Sequence, residues 1–220
     1  MSTITLDNKI QRFEKIYTGA ITDILDEMGY HHTALPHDLK PLVPGQRVTG
    51  IAYPMYGEPN TEHDADIVYT PLLKMLGDIQ HGHVIVSKAN DDVAAHLGEL
   101  SSETAKYRGC RGAVIYGGVR DTDYIIELGF PVYSRYTTPL DVLGRWQLVD
   151  YNCAIEIEGT TVNPGDFIVG DRDGVVVIPQ DITDEVLLKA EEVVSTENLV
   201  RKAILGGEHP LDAYHRFGRF

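Results

Sequence analysis

Between His83 and Arg135 the chain reads "HVIVSKA" (83–89), "HLGELSSETAKYRG" (96–109), "AVIY" (113–116), "TDYIIELG" (122–129) and "PVYSR" (131–135). The first, third and last are short apolar runs rich in β-branched residues, as buried strands require; the two between them read as helices. Strand alternating with helix implies parallel strands, because a parallel neighbour is reached only through a crossover. The fold class that follows is α/β.

The flanks extend this reading. Ile10, Phe13, Ile16, Ala20, Ile24 and Met28 recur at spacings of three and four, predicting helix over 9–29 with Gly29 as its cap and a break near Thr18-Gly19. "PLVPGQRVTG" (41–50) is turn-rich and leads into a strand over 50–53. "DADIVYTPLLKMLG" (64–77) reads as helix, with Pro71 marking a kink or a second start. After the central run, "AIEIEGTTVNPGDFIVGDRDGVVVIP" (154–179) is strands and tight turns, broken at Pro164-Gly165-Asp166 and Asp173-Gly174. A long amphipathic helix follows over about 181–205. No repeat, low-complexity tract or linker interrupts the chain. One α/β domain over 1–220 is the simplest organisation.

Nineteen basic residues stand against thirty-three acidic ones, a formal net charge of −14. That balance argues against affinity for polyanions, so no nucleic-acid partner is expected. A small anionic substrate remains compatible, since one arginine and a few amides act locally while the distant field is screened. No apolar run is long enough to cross a bilayer, and the N-terminus lacks the basic start and apolar stretch of a signal peptide. A cytoplasmic protein with no membrane partner is expected. Cys110 and Cys153 read as free thiols.

Two stretches carry candidate chemistry. Gly98-Glu99-Leu100-Ser101 opens a helix after a strand, where unpaired N–H groups take a carboxylate or Ser101 and Glu99 merely cap the helix. Gly117-Gly118-Val119-Arg120-Asp121 follows another strand. Its glycines permit close backbone approach, Arg120 offers a planar fork for oxyanions, and Asp121 is a hard oxygen ligand; a self-satisfied surface turn would look the same. If strands 83–89 and 113–116 are neighbours, Glu99, Arg120 and Asp121 converge on one sheet edge. Two carboxylates and an arginine suit Mg²⁺ or Mn²⁺.

"GELSSETAKYRGCRGAVIYGGVRD" (98–121) resembles the core motif of the RraA-like proteins and the 4-hydroxy-4-methyl-2-oxoglutarate/4-carboxy-4-hydroxy-2-oxoadipate aldolases. That motif is Gly-Asp/Glu followed about twenty residues later by Gly-x-x-Arg-Asp. "TGAITDILDEMG" (18–29), "PLVPGQRVTGIAY" (41–53) and "VNPGDFIVGDRDGVVVIP" (162–179) are similar to other parts of the family, in the same order. The resemblance implies a swivelling β/β/α-type domain with parallel βαβ units, a β-rich layer and a long C-terminal helix. It implies a homotrimer or homohexamer, with helix 181–205 and tail 206–220 near a subunit interface. It also implies a class II pyruvate aldolase, a lyase that splits a 4-hydroxy-2-oxo acid into pyruvate and a carbonyl compound, with oxaloacetate decarboxylase side activity. Carried over by position, Asp121 ligates the metal, Glu99 holds it through water, and Arg120 stabilises the enolate oxygen. Gly98, Leu100 and Ser101 bind the pyruvyl carboxylate. Glu197 is the match for an acidic metal ligand given by a neighbouring subunit.

Other signals are weaker. His81-Gly82-His83 reads as a turn rather than half a zinc site, and Lys88 as an exposed structural lysine rather than a Schiff-base former. His96, three residues before Glu99, lines the pocket or packs elsewhere. Asp171 and Asp173 read as turn formers. Tyr124, Arg135 and Tyr136 are candidates for contacting the departing half of the substrate. The competing function is a non-catalytic protein-binding regulator, like the ribonuclease-inhibiting branch; there the aspartate after the motif arginine is replaced, whereas Asp121 is present here.

Overall fold

The computed structural model describes residues 4–219. The described elements run α1 (Leu6–Phe13), α2 (Thr18–Glu27), β1 (Lys40–Pro41), β2 (Val48–Pro59), α3 (Ala65–Gly77), β3 (His83–Lys88), β4 (Ala95–Leu97), α4 (Glu99–Tyr107), β5 (Gly112–Val119), α5 (Thr122–Leu128), β6 (Val132–Thr137), β7 (Trp146–Tyr151), β8 (Ile155–Ile157), β9 (Thr160–Val162), β10 (Phe167–Gly170), β11 (Val175–Ile178), α6 (Thr183–Leu205) and α7 (Pro210–Phe217). The α/β class, the β-rich layer and the long C-terminal helix expected from the sequence are all present.

Four parallel strands in the order β6-β5-β3-β2 form the middle of the main sheet. The strands at 83–88 and 112–119 are indeed neighbours, with Val84 opposite Gly112 and Lys88 opposite Tyr116. Antiparallel strands complete the edges: β1 on β6, and β10 then β11 on the first half of β2. β7 pairs with the second half of β2, and β8–β9 form a separate hairpin. Side chains alternate across a strand, which divides the core. Ile85, Ala113 and Ile115 pack with Val68, Met75, Ala105 and Ile125 of α3, α4 and α5. Val84, Val86 and Val114 face the other way, onto Ile155, Ile157 and Val162. A third cluster joins α1, α2 and α6 to Phe167, Val169, Val176 and Ile178. Each fully buried Val, Leu, Ile or Phe contributes roughly 1.5–3 kcal/mol.

Some boundaries differ from the sequence expectation and others hold. The helical periodicity over 9–29 breaks into two helices just before Thr18, as expected. Buried Asp171 sets that break: its carboxylate accepts from the Thr18 N–H and the Thr18 hydroxyl, both at 2.8 Å, and so caps α2 from a distant turn. Asp171 also accepts from the Asp173 N–H, the turn role expected of it. Pro71 lies inside one continuous α3, and β2 has 12 residues instead of four. The tail carries α7, which had no sequence signal strong enough to name. "RWQLVDYN" holds β7, and its Trp146, uninformative in the sequence, is fully buried with its indole N–H donating to the Ala89 carbonyl.

Asp171→Ala should strand the Thr18 N–H, the Thr18 hydroxyl and the Asp173 N–H without moving core volume. A loss of about 3 kcal/mol in urea unfolding is expected.

Candidate active site

β5 is longer than the sequence suggests, so Gly117, Gly118 and Val119 are strand and only Arg120 and Asp121 leave the sheet. The glycines are required by what packs against them. A Cβ on Gly117 would stand 2.7 Å from His96 Nδ1, and one on Gly118 would stand 2.5 Å from the Ala94 carbonyl oxygen. Their absence of side chain lets β4 lie parallel to the end of β5, with Ala95 opposite Gly118 and Leu97 opposite Val119. His96 belongs to this short strand rather than to the helix predicted over 96–109, which begins at Glu99.

The Arg120 N–H donates to the Leu97 carbonyl at 3.0 Å, so Gly98-Glu99 and Arg120-Asp121 leave the sheet side by side. Asp121 takes a left-handed conformation, φ 56°, and its Oδ2 accepts from the Glu99 N–H at 3.2 Å. Gly98 makes room for that carboxylate: a Cβ there would stand 2.6 Å from Asp121 Oδ2.

Gly98, Glu99, Leu100, Ser101, Arg120 and Asp121 line one pocket of about 390 Å³. The sequence reading therefore named the polar half of a single cavity. It missed Asp141, which no motif marked. Asp141 Oδ1 lies 3.2 Å from Arg120 Nη1, while Arg120 Nε lies 3.5 Å from Asp121 Oδ2, so the guanidinium is held between two carboxylates. The Tyr69 hydroxyl donates to Asp141. Burial pushes the Asp141 carboxyl up, but the Tyr69 hydroxyl, backbone N–H groups and Arg120 outweigh it and hold the group below its ordinary value.

His96 does line the pocket, as a fully buried ring. Its Nδ1 accepts the Gly118 N–H at 3.2 Å and its Nε2 lies 3.2 Å from Asp91 Oδ2. That Nε2 contact is close but poorly aligned, since the atom has no partner of good hydrogen-bond geometry among the described residues. Burial lowers the imidazole's proton affinity. An Nδ1 that accepts a backbone N–H fits the neutral tautomer, so His96 supports the end of β5 rather than supplying charge.

The remaining candidates lie elsewhere. Glu197 accepts a hydrogen bond from the Tyr17 hydroxyl of its own chain, outside the pocket. Arg135 pairs with Asp38 and Asp92 and sits over the Tyr116 ring, and the Tyr136 hydroxyl donates to the Asp91 and Ala94 carbonyls. Neither residue lines the pocket, and nor does Tyr124. His81 pairs with Asp7, while His83 stacks on Tyr53. Cys110 and Cys153 are free.

Residues 18–177 match the family described as RraA-like: Aldolase/RraA. The chain belongs to the RraA-like family. Among RraA-like relatives, a protein of Halalkalibacterium halodurans provisionally named 4-hydroxy-4-methyl-2-oxoglutarate aldolase is 32% identical over 93% of this chain and 92% of its own length. Protein DlpA of Legionella pneumophila is 29% identical over 92% of this chain, which spans 32% of DlpA's length. The crystal structure of Streptomyces coelicolor RraAS2, described as an unusual member of the RNase ES inhibitor RraA protein family, has 26% identity and a TM-score of 0.79. It covers 88% of this chain and 95% of that one. The RraA-like family thus includes proteins named for an aldolase and proteins named for ribonuclease inhibition. Among the described residues no helix is long and apolar enough to cross a membrane.

Gly98→Ala should push the Asp121 carboxylate, and the Arg120 side chain beside it, away from the start of α4. A displacement of about 1 Å predicts a loss of about 100-fold in turnover with little change in Tm. Asp141 titrates below its unfolded value in the folded chain, so its stabilisation is complete above the unfolded pKa and is lost as pH falls through the folded one. Thermal melts between about pH 5 and pH 3 should therefore depend less on pH in Asp141→Asn than in the parent.

Proposed function

We propose that the chain is a divalent-metal-dependent lyase that cleaves a 4-hydroxy-2-oxo acid to pyruvate and a carbonyl compound, with oxaloacetate decarboxylation as a side activity. The observation that carries this reading is the meeting of Glu99, Arg120 and Asp121 in one pocket beside the first turn of α4.

The residues fit a hard divalent ion. Asp121 presents a carboxylate held at Oδ2 by the Glu99 N–H, in space that only a glycine at position 98 leaves open. Among the described residues no three His, Cys, Asp or Glu side chains converge as a metal cluster. One or two carboxylates from a chain suit Mg²⁺ or Mn²⁺, which keep water and substrate as further ligands. Asp121 would hold the ion directly and Glu99 through water, with Glu197 of a neighbouring subunit as a further donor in a trimer or hexamer. When bound, such an ion supplies Lewis-acid polarisation of a 2-oxo acid.

The chain's own groups account for the rest. The Leu100 and Ser101 N–H groups, in the unpaired first turn of α4, bind the substrate carboxylate. Arg120 places a cation where negative charge develops on the pyruvyl C2 oxygen as the C3–C4 bond breaks. Asp141 and Asp121 keep its planar fork aimed before that charge appears, the preorganisation that makes such donors effective. The C4 hydroxyl proton must leave during cleavage, and C3 of the pyruvyl enolate must gain one. Glu99, which lines the pocket, would carry that traffic through water.

Pyruvate release from oxaloacetate and from 4-hydroxy-4-methyl-2-oxoglutarate, with Mg²⁺ and again with EDTA, tests the proposal. Metal-dependent pyruvate supports it; its absence in a folded protein favours the protein-binding regulator. Asp121→Ala should abolish metal-dependent turnover and keep the fold. Arg120→Lys should lose roughly 100- to 1,000-fold in kcat, because a point charge cannot replace the fork.

A further inference from the structure

Of the ionisable side chains that line the pocket, His96 alone has no task in the lyase reading, and it is the most deeply buried of them. Its imidazole is wholly enclosed by its own chain, so its contacts are set there. Nδ1 accepts the Gly118 N–H, and Nε2 faces Asp91 Oδ2 at 3.2 Å. Asp91 is itself fixed, since the same Oδ2 accepts the Val93 N–H at 3.2 Å and the Ala94 N–H at 2.7 Å. Trp146 packs edge-on against the ring, with 4.8 Å between centroids. Gly118 stands two residues before Arg120 and opposite Ala95 in the pairing of β4 with β5. The imidazole thus ties the loop after β3 to the strand end that carries the guanidinium.

A ring nitrogen accepts a hydrogen bond only while it carries no proton. A proton on Nδ1 would set two donors face to face and leave the buried Gly118 N–H without a partner. A neutral ring protonated at Nε2, towards the Asp91 carboxylate, suits both ends. The charged groups around it are Asp91 on one side and Glu99, Arg120, Asp121 and Asp141 along the pocket. Burial disfavours the imidazolium and outweighs the pull of Asp91, so the neutral ring persists below the ordinary histidine range. We propose that His96 is a positioning residue: in the tautomer set by Asp91 it holds the end of β5, and Arg120 with it, in register, and a proton on Nδ1 releases that hold. Its effect on turnover rests on the lyase reading of the site; the tautomer does not.

The test follows pyruvate release from 4-hydroxy-4-methyl-2-oxoglutarate with Mg²⁺ against pH, and observes the labelled imidazole by nitrogen NMR. The parent spectrum at about pH 8 should show Nε2 protonated and Nδ1 bare. His96→Phe keeps a ring but no acceptor, and should lose about 100-fold in kcat with KM nearly unchanged, as a displacement of about 1 Å does. His96→Asn puts an amide oxygen where Nδ1 stood, and should keep kcat within about tenfold of the parent. That oxygen takes no proton, so kcat should fall less in His96→Asn than in the parent between about pH 7 and about pH 5. A proton on Nδ1 in the parent spectrum overturns the proposal. So does a His96→Asn variant as impaired as His96→Phe, or one whose acid limb matches the parent's. A His96→Phe variant that turns over like the parent overturns it too; if that variant does not fold, His96→Asn and the spectrum carry the test. A folded parent that releases no pyruvate removes the lyase reading, and the spectrum still decides the tautomer.

Discussion

A single backbone hydrogen bond, from the Arg120 N–H to the Leu97 carbonyl, ties the two motif stretches together. It closes the parallel pairing of β4 with the end of β5 and makes Gly98 and Arg120 neighbours although 22 residues separate them. Small changes in this register would move the Glu99 and Asp121 carboxylates apart. The surroundings of the bond show how closely that register is held. Gly117 and Gly118 omit side chains that would collide with His96 and with the Ala94 carbonyl, and His96 accepts the Gly118 N–H from a wholly buried ring.

The pocket built on this pairing is divided by chemistry. Its mouth carries charge that must be balanced locally, with Arg120 gripped by Asp121 and Asp141 and with α4 presenting its first turn. Its wall is the apolar interior shared with α3 and the strands β2, β3 and β5. A protein with a net charge of −14 can still hold an anion here, because a guanidinium a few ångströms away outweighs screened charges at long range.

The fold was legible where the chain is locally consistent. Alternating apolar runs and helical segments between His83 and Arg135 announced parallel strands, and the strands formed with their neighbours as expected. Legibility failed where distant contacts override local pattern. The sequence marks a break near Thr18-Gly19 but not its cause: Asp171, more than 150 residues away in sequence, caps the new helix there. "GGV" looks like the start of a loop because glycine is a poor strand former; it is strand because β4 packs on it. Trp146 carries no periodic signal of its own and becomes a core residue only when β7 joins β2.

The sequence by itself determined the α/β class, the RraA-like likeness and the types of group available for chemistry: two motif carboxylates, one arginine and an exposed helix N-terminus. These are properties of short stretches, in which spacing and residue type suffice. Tertiary structure alone decided that Asp141 and Tyr69 complete the environment of Arg120, that Arg135 and Tyr136 are occupied elsewhere, and that the cavity wall is apolar. Those facts depend on which side chains meet across strands and helices far apart in the chain. No local pattern records which charges find each other and which are left facing a pocket.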